Sequence, residues 1–245
     1  MYVYVYDELL EDRRYERELA LIETRLTDLG IMGKICRLAL FRDATHVIRE
    51  EVRLGANTVV AVGNDATLRK IIDALAGSPK VVAALIPIGP QGQMADILGI
   101  PPLVMACDVL SARNVEAVDV GEVNGKRFVH AASFEADDAL IRVDDSFTVS
   151  LKKSGKLEVR NLAAPDDAGV VSPVDGKLSL IIRQSKFSLL SRKADVSVIP
   201  FDHAFVTSKT PTTLSVDGET MQGMHFEFRT IPGVLRIVVG KERKF

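Results

Sequence analysis

The chain has 245 residues and a mass of 26.8 kDa, enough for one large domain or two small ones, each with its own core. Hydrophobic residues at 47% and charged residues at 26% give an ordinary globular composition, which excludes a disordered or collagen-like chain. Lys plus Arg at 31 against Asp plus Glu at 33 leaves a net charge of −2, so there is no general pull toward nucleic acid, and two cysteines, Cys36 and Cys107, exclude a disulfide framework. The chain reads as reduced and cytosolic. Its apolar runs are far shorter than the roughly 20 residues of a membrane span. The opening MYVYVYDELLEDRR has no basic segment followed by an apolar one, so it is not read as a secretory signal. Peripheral contact with a membrane stays open.

Up to Pro101-Pro102, strands and helices alternate. Tyr2–Tyr6 is a short strand. From Glu8 to about Leu29, Leu9, Leu10, Leu19, Ile22, Leu26 and Leu29 recur at helical spacing, and Gly30 closes the run. Ile35–Leu40 reads as a second strand, Ala44–Leu54 as a second helix and Thr58–Val62 as an apolar strand. Ala66–Ala76 is an amphipathic helix ending at Gly77, and Val81–Ile88 is another buried strand. Continuous apolar strands between helices argue for a parallel three-layer α/β domain over residues 1–102.

Beyond Pro102 the helical period fades. Short runs such as Ala117–Val120, Phe128–Ala132, Leu157–Val159, Leu178–Ile182, Val196–Ile199, Ala204–Thr207, Thr213–Val216, His225–Phe228 and Leu235–Val239 are separated by Gly, Asp, Asn and Pro. Closely spaced short strands predict an antiparallel sandwich or barrel over residues 103–245.

Two loops leave the best strands. In Thr58–Leu68 a small-residue turn leads into a helix, the place where α/β sheets hold anions. Gly63 would let a phosphate approach the backbone, Asp65 can cap the helix or orient a cation on a phosphate, and Thr67 supplies a hydroxyl. On spacing alone the plainer reading comes first: a βα turn with Asp65 as N-cap and no ligand. The second loop, Ile86–Pro102, turns on Gly89-Pro90-Gln91-Gly92 and enters a short helix ending at Gly99. Gly89 and Gly92 permit tight geometry, and Gln91 and Gln93 offer neutral hydrogen-bonding groups.

Late in the chain, Asp217-Gly218-Glu219 has the form of a hairpin turn, as does Val174-Asp175-Gly176-Lys177. As a polar turn residue near solvent, Asp217 is expected to contribute little to the core. His46, His130, His203 and His225 show no metal-ligand spacing, so no metal site is assigned. Asp137-Asp138 and Asp144-Asp145 read as solvated doublets. The charged run from Glu8 to Glu18 reads as a solvated face or an intermolecular contact.

In their order these features resemble the diacylglycerol kinase catalytic family of lipid kinases. That family carries a strand and GGDGT, a strand and P-L-G-T-G-N-D-x-A-x-x-L-G-I-P, and a late strand leading to D-G-E. Here the first is Gly63-Asn64-Asp65-Ala66-Thr67, the second runs from Pro87 to Pro101, and the third is Asp217-Gly218-Glu219 unchanged. The stretch Val118–Phe128 resembles the family's strand-hairpin, and Arg160-Asn161 followed by Pro173–Leu178 resembles its V-x-N and P-x-x-x-D-G-x-L-D segments. NAD kinases share the GGDGT loop and the general plan.

The resemblance implies ATP and Mg2+ as cofactors and a lipid hydroxyl as acceptor. Asp217 corresponds to the general base, with Glu219 and Asp65 as further acids. Gly63, Asn64, Ala66, Thr67, Gly89 and Gly92 stand at the nucleotide loops, and the family's order faces those loops onto a cleft with Asp217 across from Asp65. Two family glycines are replaced by Asn64 and Ala66, which add bulk where backbone meets nucleotide. Pro90-Gln91-Gly92-Gln93 replaces T-G-N-D, removing a hydroxyl, an amide, a carboxylate and a backbone donor. Phosphoryl transfer depends on positioning and charge neutralisation. Loop chemistry therefore favours a lipid kinase relative with weak or lost phosphotransferase activity and a binding or assembly role. The alternative is an active lipid kinase using Asp217 as base. A nucleotide or lipid small molecule and a second copy of the chain are the partners in view.

Overall fold

Alternating strands and helices build the first of two units, Met1–Val118 with Val234–Lys244. The computed structural model describes residues 1–38, 43–90, 92–136, 139–151, 155–164, 166, 172–185 and 194–245. Of the sequence expectations, the end of the strand at Leu40, Gln91 and the doublet Asp137-Asp138 lie outside the described residues. Among those described, no helix is long and apolar enough to cross a membrane.

The first unit contains β1 (Tyr2–Tyr6), α1 (Glu16–Asp28), β2 (Gly33–Arg37), α2 (Ala44–Arg53), β3 (Thr58–Gly63), α3 (Asp65–Ala74), β4 (Val82–Pro87), α4 (Gln93–Ile97) and α5 (Val104–Ala112). The strands are parallel in the order β2-β1-β3-β4, and Arg236 and Ile237 lie parallel to Val82 and Ala83 beyond β4. Val59–Val62 and Ala83–Ile86 are buried throughout. Central parallel strands are covered on both faces, which is why they read as unbroken apolar runs.

Two helical expectations change. The single helix from Glu8 to Leu29 is two 3-10 turns, Glu8–Glu11 and Arg13–Tyr15, followed by α1. Asp7 caps the first turn through the Leu9 N–H and Asp12 caps the second through the Arg14 N–H, so each carboxylate starts a new turn. The helix α5 was not anticipated: it is apolar on most sides, burying Ala106, Cys107 and Leu110, and so shows no clear 3.6-residue period. It is closed by Arg113 in the left-handed conformation, and Arg25 binds Asp108 across from α1 at 2.5 Å. The first unit thus continues past Pro102 to Val118. Cys107 is fully buried, and burial, with the charge of Asp108, pushes its thiol up to about 11, an inert state.

The second unit, Asp119–Gly233, is antiparallel. After β5 (Val115–Val123) come β6 (Lys126–Phe128), β7 (Ala131–Ala136), β8 (Leu140–Val143), β9 (Phe147–Ser150), β10 (Gly155–Arg160), β11 (Leu178–Ser185), β12 (Ala194–Phe201), β13 (His203–Val216) and β14 (Glu219–Val238). The order is β12-β11-β10-β7-β13-β14, with β8 paired to β13 and β9 paired to β8. The expected runs at 204–207 and 213–216 are one strand, whose register shifts between Thr207 and Thr212 around Pro211. Proline cannot donate to a ladder, so it sits at the irregularity. Phe128 meets Phe228 edge-on at 6.4 Å and Phe134 meets Phe226 at 5.7 Å in the core.

An ion cluster lies on β10 and β11. Arg160 Nε donates to Glu158 at 2.6 Å, Arg183 Nη1 donates to the same carboxylate at 3.0 Å, and both guanidiniums reach Asp166. Burial acts to raise the Glu158 carboxyl, but the hydrogen bond and charge of Arg160, with Lys156 and Arg183, outweigh it and hold the group below its ordinary value of 4.5. A depressed carboxyl stabilises fully above the unfolded-state value and loses that contribution as pH falls through the folded one. Urea midpoints should therefore drop steeply below about pH 4.5. Glu158→Gln should cost about 2 kcal/mol at neutral pH, below the ~3–5 of a fully buried pair, and flatten that acid slope. An acid slope identical in the variant would remove Glu158 from the account.

Candidate functional site

The loops after β3 and β4 lie side by side, because the strands are parallel neighbours with Gly63 in register with Pro87 and the Ile88 N–H on the Gly63 carbonyl at 2.9 Å. At the first loop the N-cap is Asn64, not Asp65. The Asn64 side-chain oxygen accepts from the Ala66 N–H at 2.9 Å and the Thr67 N–H at 3.3 Å, and the Asn64 N–H donates to the Thr67 hydroxyl oxygen, closing a capping box. The buried Thr67 hydroxyl in turn donates to Asp7 Oδ2 at 2.5 Å. The Ala66 and Thr67 N–H groups at the start of α3 are thus bound to a side chain of the same loop.

Asp65 is the first residue of α3 and points away from its own helix end. Its carboxylate accepts from the Gln93 N–H at 2.8 Å and the Met94 N–H at 3.3 Å, capping α4 from 28 residues away. Gly92 makes this approach feasible, since a Cβ there would fall 2.1 Å from the Asp65 carboxylate. A negative group stabilises the start of a helix whose own N-cap, Gly92, has no side chain to offer.

A cavity of about 350 Å³ opens at these loops. Gly63, Asn64, Asp65, Gly89, Pro90 and Gly92 line it, together with two acids the sequence reading did not select, Glu18 on α1 and Asp96 on α4. Among the described residues that line it there is no Lys or Arg, although Asp96 is held by Lys244 Nζ at 2.5 Å. Asp7 was also missed. Its position directly after β1, at the same strand ends as the two loops, was the signal that could have found it.

Asp217 and Glu219 lie at the β13–β14 turn of the second unit. Asp217, at φ 46, and Gly218, at φ 87, are both left-handed, as a two-residue hairpin turn of Asp-Gly requires. Asp217 is half-buried, and its carboxylate accepts three successive backbone N–H groups: Val129 at 2.8 Å, His130 at 3.2 Å and Ala131 at 2.8 Å. This corrects the expectation of a turn residue with little structural weight. Glu219 is exposed and pairs with Lys126 Nζ at 2.7 Å. Nearby, the fully buried Asn161 donates through Nδ2 to the Asp119 and Val129 carbonyls, and the Asp119 carboxylate accepts from Gly176 and Gly233. Among the described residues no group of three or more His, Cys, Asp or Glu is placed to hold a metal ion.

Residues 10–123 match the family model of the diacylglycerol kinase catalytic domain. A protein of Pseudomonas aeruginosa named "Probable lipid kinase YegS-like" is 37% identical over 92 residues, 37% of this chain and 30% of the relative. A diacylglycerol kinase of Bacillus subtilis is 26% identical over 121 residues, 48% of this chain and 40% of that protein. The chain thus spans well under half the length of these curated relatives. A solved diacylglycerol kinase structure from Bacillus anthracis superposes with a TM-score of 0.83 at 16% identity, covering 99% of this chain and 97% of that one. Yeast NADH kinase superposes with a TM-score of 0.62 at 10% identity, covering 100% and 85%. At these identities the structures bear on the fold alone. It is an α/β region of parallel strands followed by an antiparallel β-rich one.

Proposed function

We propose, for a chain whose residues 10–123 match the family model of the diacylglycerol kinase catalytic domain, that it is a lipid kinase relative with weak or lost phosphotransferase activity, kept for binding or assembly. The observation that carries this reading is the occupation of the loop donors: Asn64 takes the Ala66 and Thr67 N–H groups, and Asp65 takes those of Gln93 and Met94. A triphosphate needs such donors and compensating positive charge. Here four such donors are already taken, and the described lining carries Glu18, Asp65 and Asp96 with no Lys or Arg. The residues present do not fit Mg·ATP. Asp217 fits the same reading, because a carboxylate has about four lone-pair positions and three N–H groups already face it. A lipid, a nucleotide bound weakly or a second copy of this chain are the partners the proposal admits, in the cytoplasm with peripheral membrane contact.

The second reading, an active lipid kinase, is favoured by the unchanged Asp217-Gly218-Glu219 turn and by the names of the relatives. Transfer of labelled phosphate from Mg·ATP to diacylglycerol and related lipids separates the two. The expected result is incorporation no greater than a protein-free blank. Clear turnover by the natural protein would establish the active reading instead.

A further inference from the structure

The helix α4 forms one wall of the cavity and has only five residues. A helix this short does not hold itself together in water, and its end carbonyls need partners. Those partners come from the far end of the chain. The Gly240 N–H donates to the Leu98 carbonyl at 2.8 Å and the Lys244 N–H to the Ile97 carbonyl at 2.9 Å. Lys244 Nζ binds Asp96 at 2.5 Å, and Arg243 is anchored on Glu116 at 2.9 Å. The two backbones touch closely: a Cβ on Gly240 would fall 1.8 Å from the Gly99 carbonyl oxygen, and one on Gly99 would fall 2.4 Å from the Arg243 nitrogen. At the opposite end of the helix, Asp65 holds the Gln93 and Met94 N–H groups.

We infer that the segment Gly240–Lys244 is a clasp that fixes α4 from its carboxyl end, so that the cavity keeps this shape only while the segment is seated. Gly240 and Lys244 are positioning residues in this device, acting on the cavity through Ile97, Leu98 and Asp96. The inference goes beyond the proposed function and adds the element that controls the shape of the cavity at the two loops. The clasp and Asp65 grip the two ends of one short helix, so loosening either end should free the whole of it.

Hydrogen exchange of the full chain, followed by mass spectrometry over residues 92–99, tests this. Gly240→Ala should speed exchange there tenfold or more and leave residues 58–63 of β3 unchanged. Asp65→Asn should speed the same amides, and the double variant should add less than twofold to the faster single one, because a helix already released has nothing further to lose. Lys244→Glu should give a smaller increase, of a few fold, reversed by Asp96→Lys in the same chain. Unchanged exchange in Gly240→Ala, or full multiplication of the Gly240 and Asp65 effects, would overturn the clasp. Titration of the natural protein with Mg·ATP is run alongside. Tight binding there would count against the proposed function and leave the exchange result to decide the clasp.

Discussion

Replacing Asn64 and Ala66 together by glycine is expected to raise the affinity for Mg·ATP at least tenfold, about 1.4 kcal/mol, from a natural value too weak for calorimetry. The Asn64 side-chain oxygen now satisfies the N–H groups of Ala66 and Thr67, the second and third residues of α3, at 2.9 and 3.3 Å. Glycine at an N-cap costs a helix only a few tenths of a kcal/mol relative to Asn, and a second glycine in the first turn up to about 1 kcal/mol, so the fold should survive both. Two N–H groups are then free for phosphate oxygens, and each hydrogen bond to a charged group is worth about 1.5–3 kcal/mol net. The expected gain is set at the low end because Glu18, Asp65 and Asp96 still face the cavity. Asn64→Asp should act oppositely, retaining the cap and adding another negative charge. Tight binding by the natural protein, or no gain in the double-glycine variant, would show that Asn64 is not the obstruction.

What the sequence disclosed follows from how local each feature is. The strands β3 and β4 were legible because burial on both faces demands continuous apolar residues, and the Asp217-Gly218 turn because its two left-handed positions favour those residue types. The helix α5 was not legible, since an apolar helix has no polar face to mark its period. The partners of Asp65 and Asp217 were out of reach for another reason. Asp65 acts on Gln93 and Met94, and Asp217 on Val129, His130 and Ala131, contacts set by tertiary packing across tens of residues. The role of the first-loop side chains was only partly legible. Asn64 was read as bulk, whereas its side-chain oxygen caps α3 by accepting the Ala66 and Thr67 N–H groups. Three places where N–H groups gather, at the starts of α3 and α4 and at Val129–Ala131, each hold an oxygen from the chain itself.

The last of these yields the largest expected effect on stability. Asp217→Ala should destabilise the fold by about 4 kcal/mol: loss of the acceptor leaves partly buried N–H groups unpaired at about 1–3 kcal/mol each where water cannot reach them, and alanine at φ 46 adds about 1 kcal/mol of left-handed strain. Asp217→Asn should cost less, about 2 kcal/mol, since Asn tolerates that backbone and keeps one acceptor oxygen while its amide faces the donors. Urea unfolding measures both, and thermal midpoints should fall in the same order, by roughly 2–4 °C per kcal/mol. Equal stability in all three proteins would mean that the three N–H contacts carry no weight. The same variants weigh the two functional readings. A general base needs a lone pair aimed at the acceptor hydroxyl, and a carboxylate turned onto three N–H groups has at most one to spare. Incubated with Mg·ATP and diacylglycerol below the unfolding range of each protein, natural and Asp217→Asn forms should therefore both leave the lipid unlabelled. Labelling by the natural protein that disappears in a folded Asp217→Asn would make Asp217 the base of a working kinase, structural bonds notwithstanding.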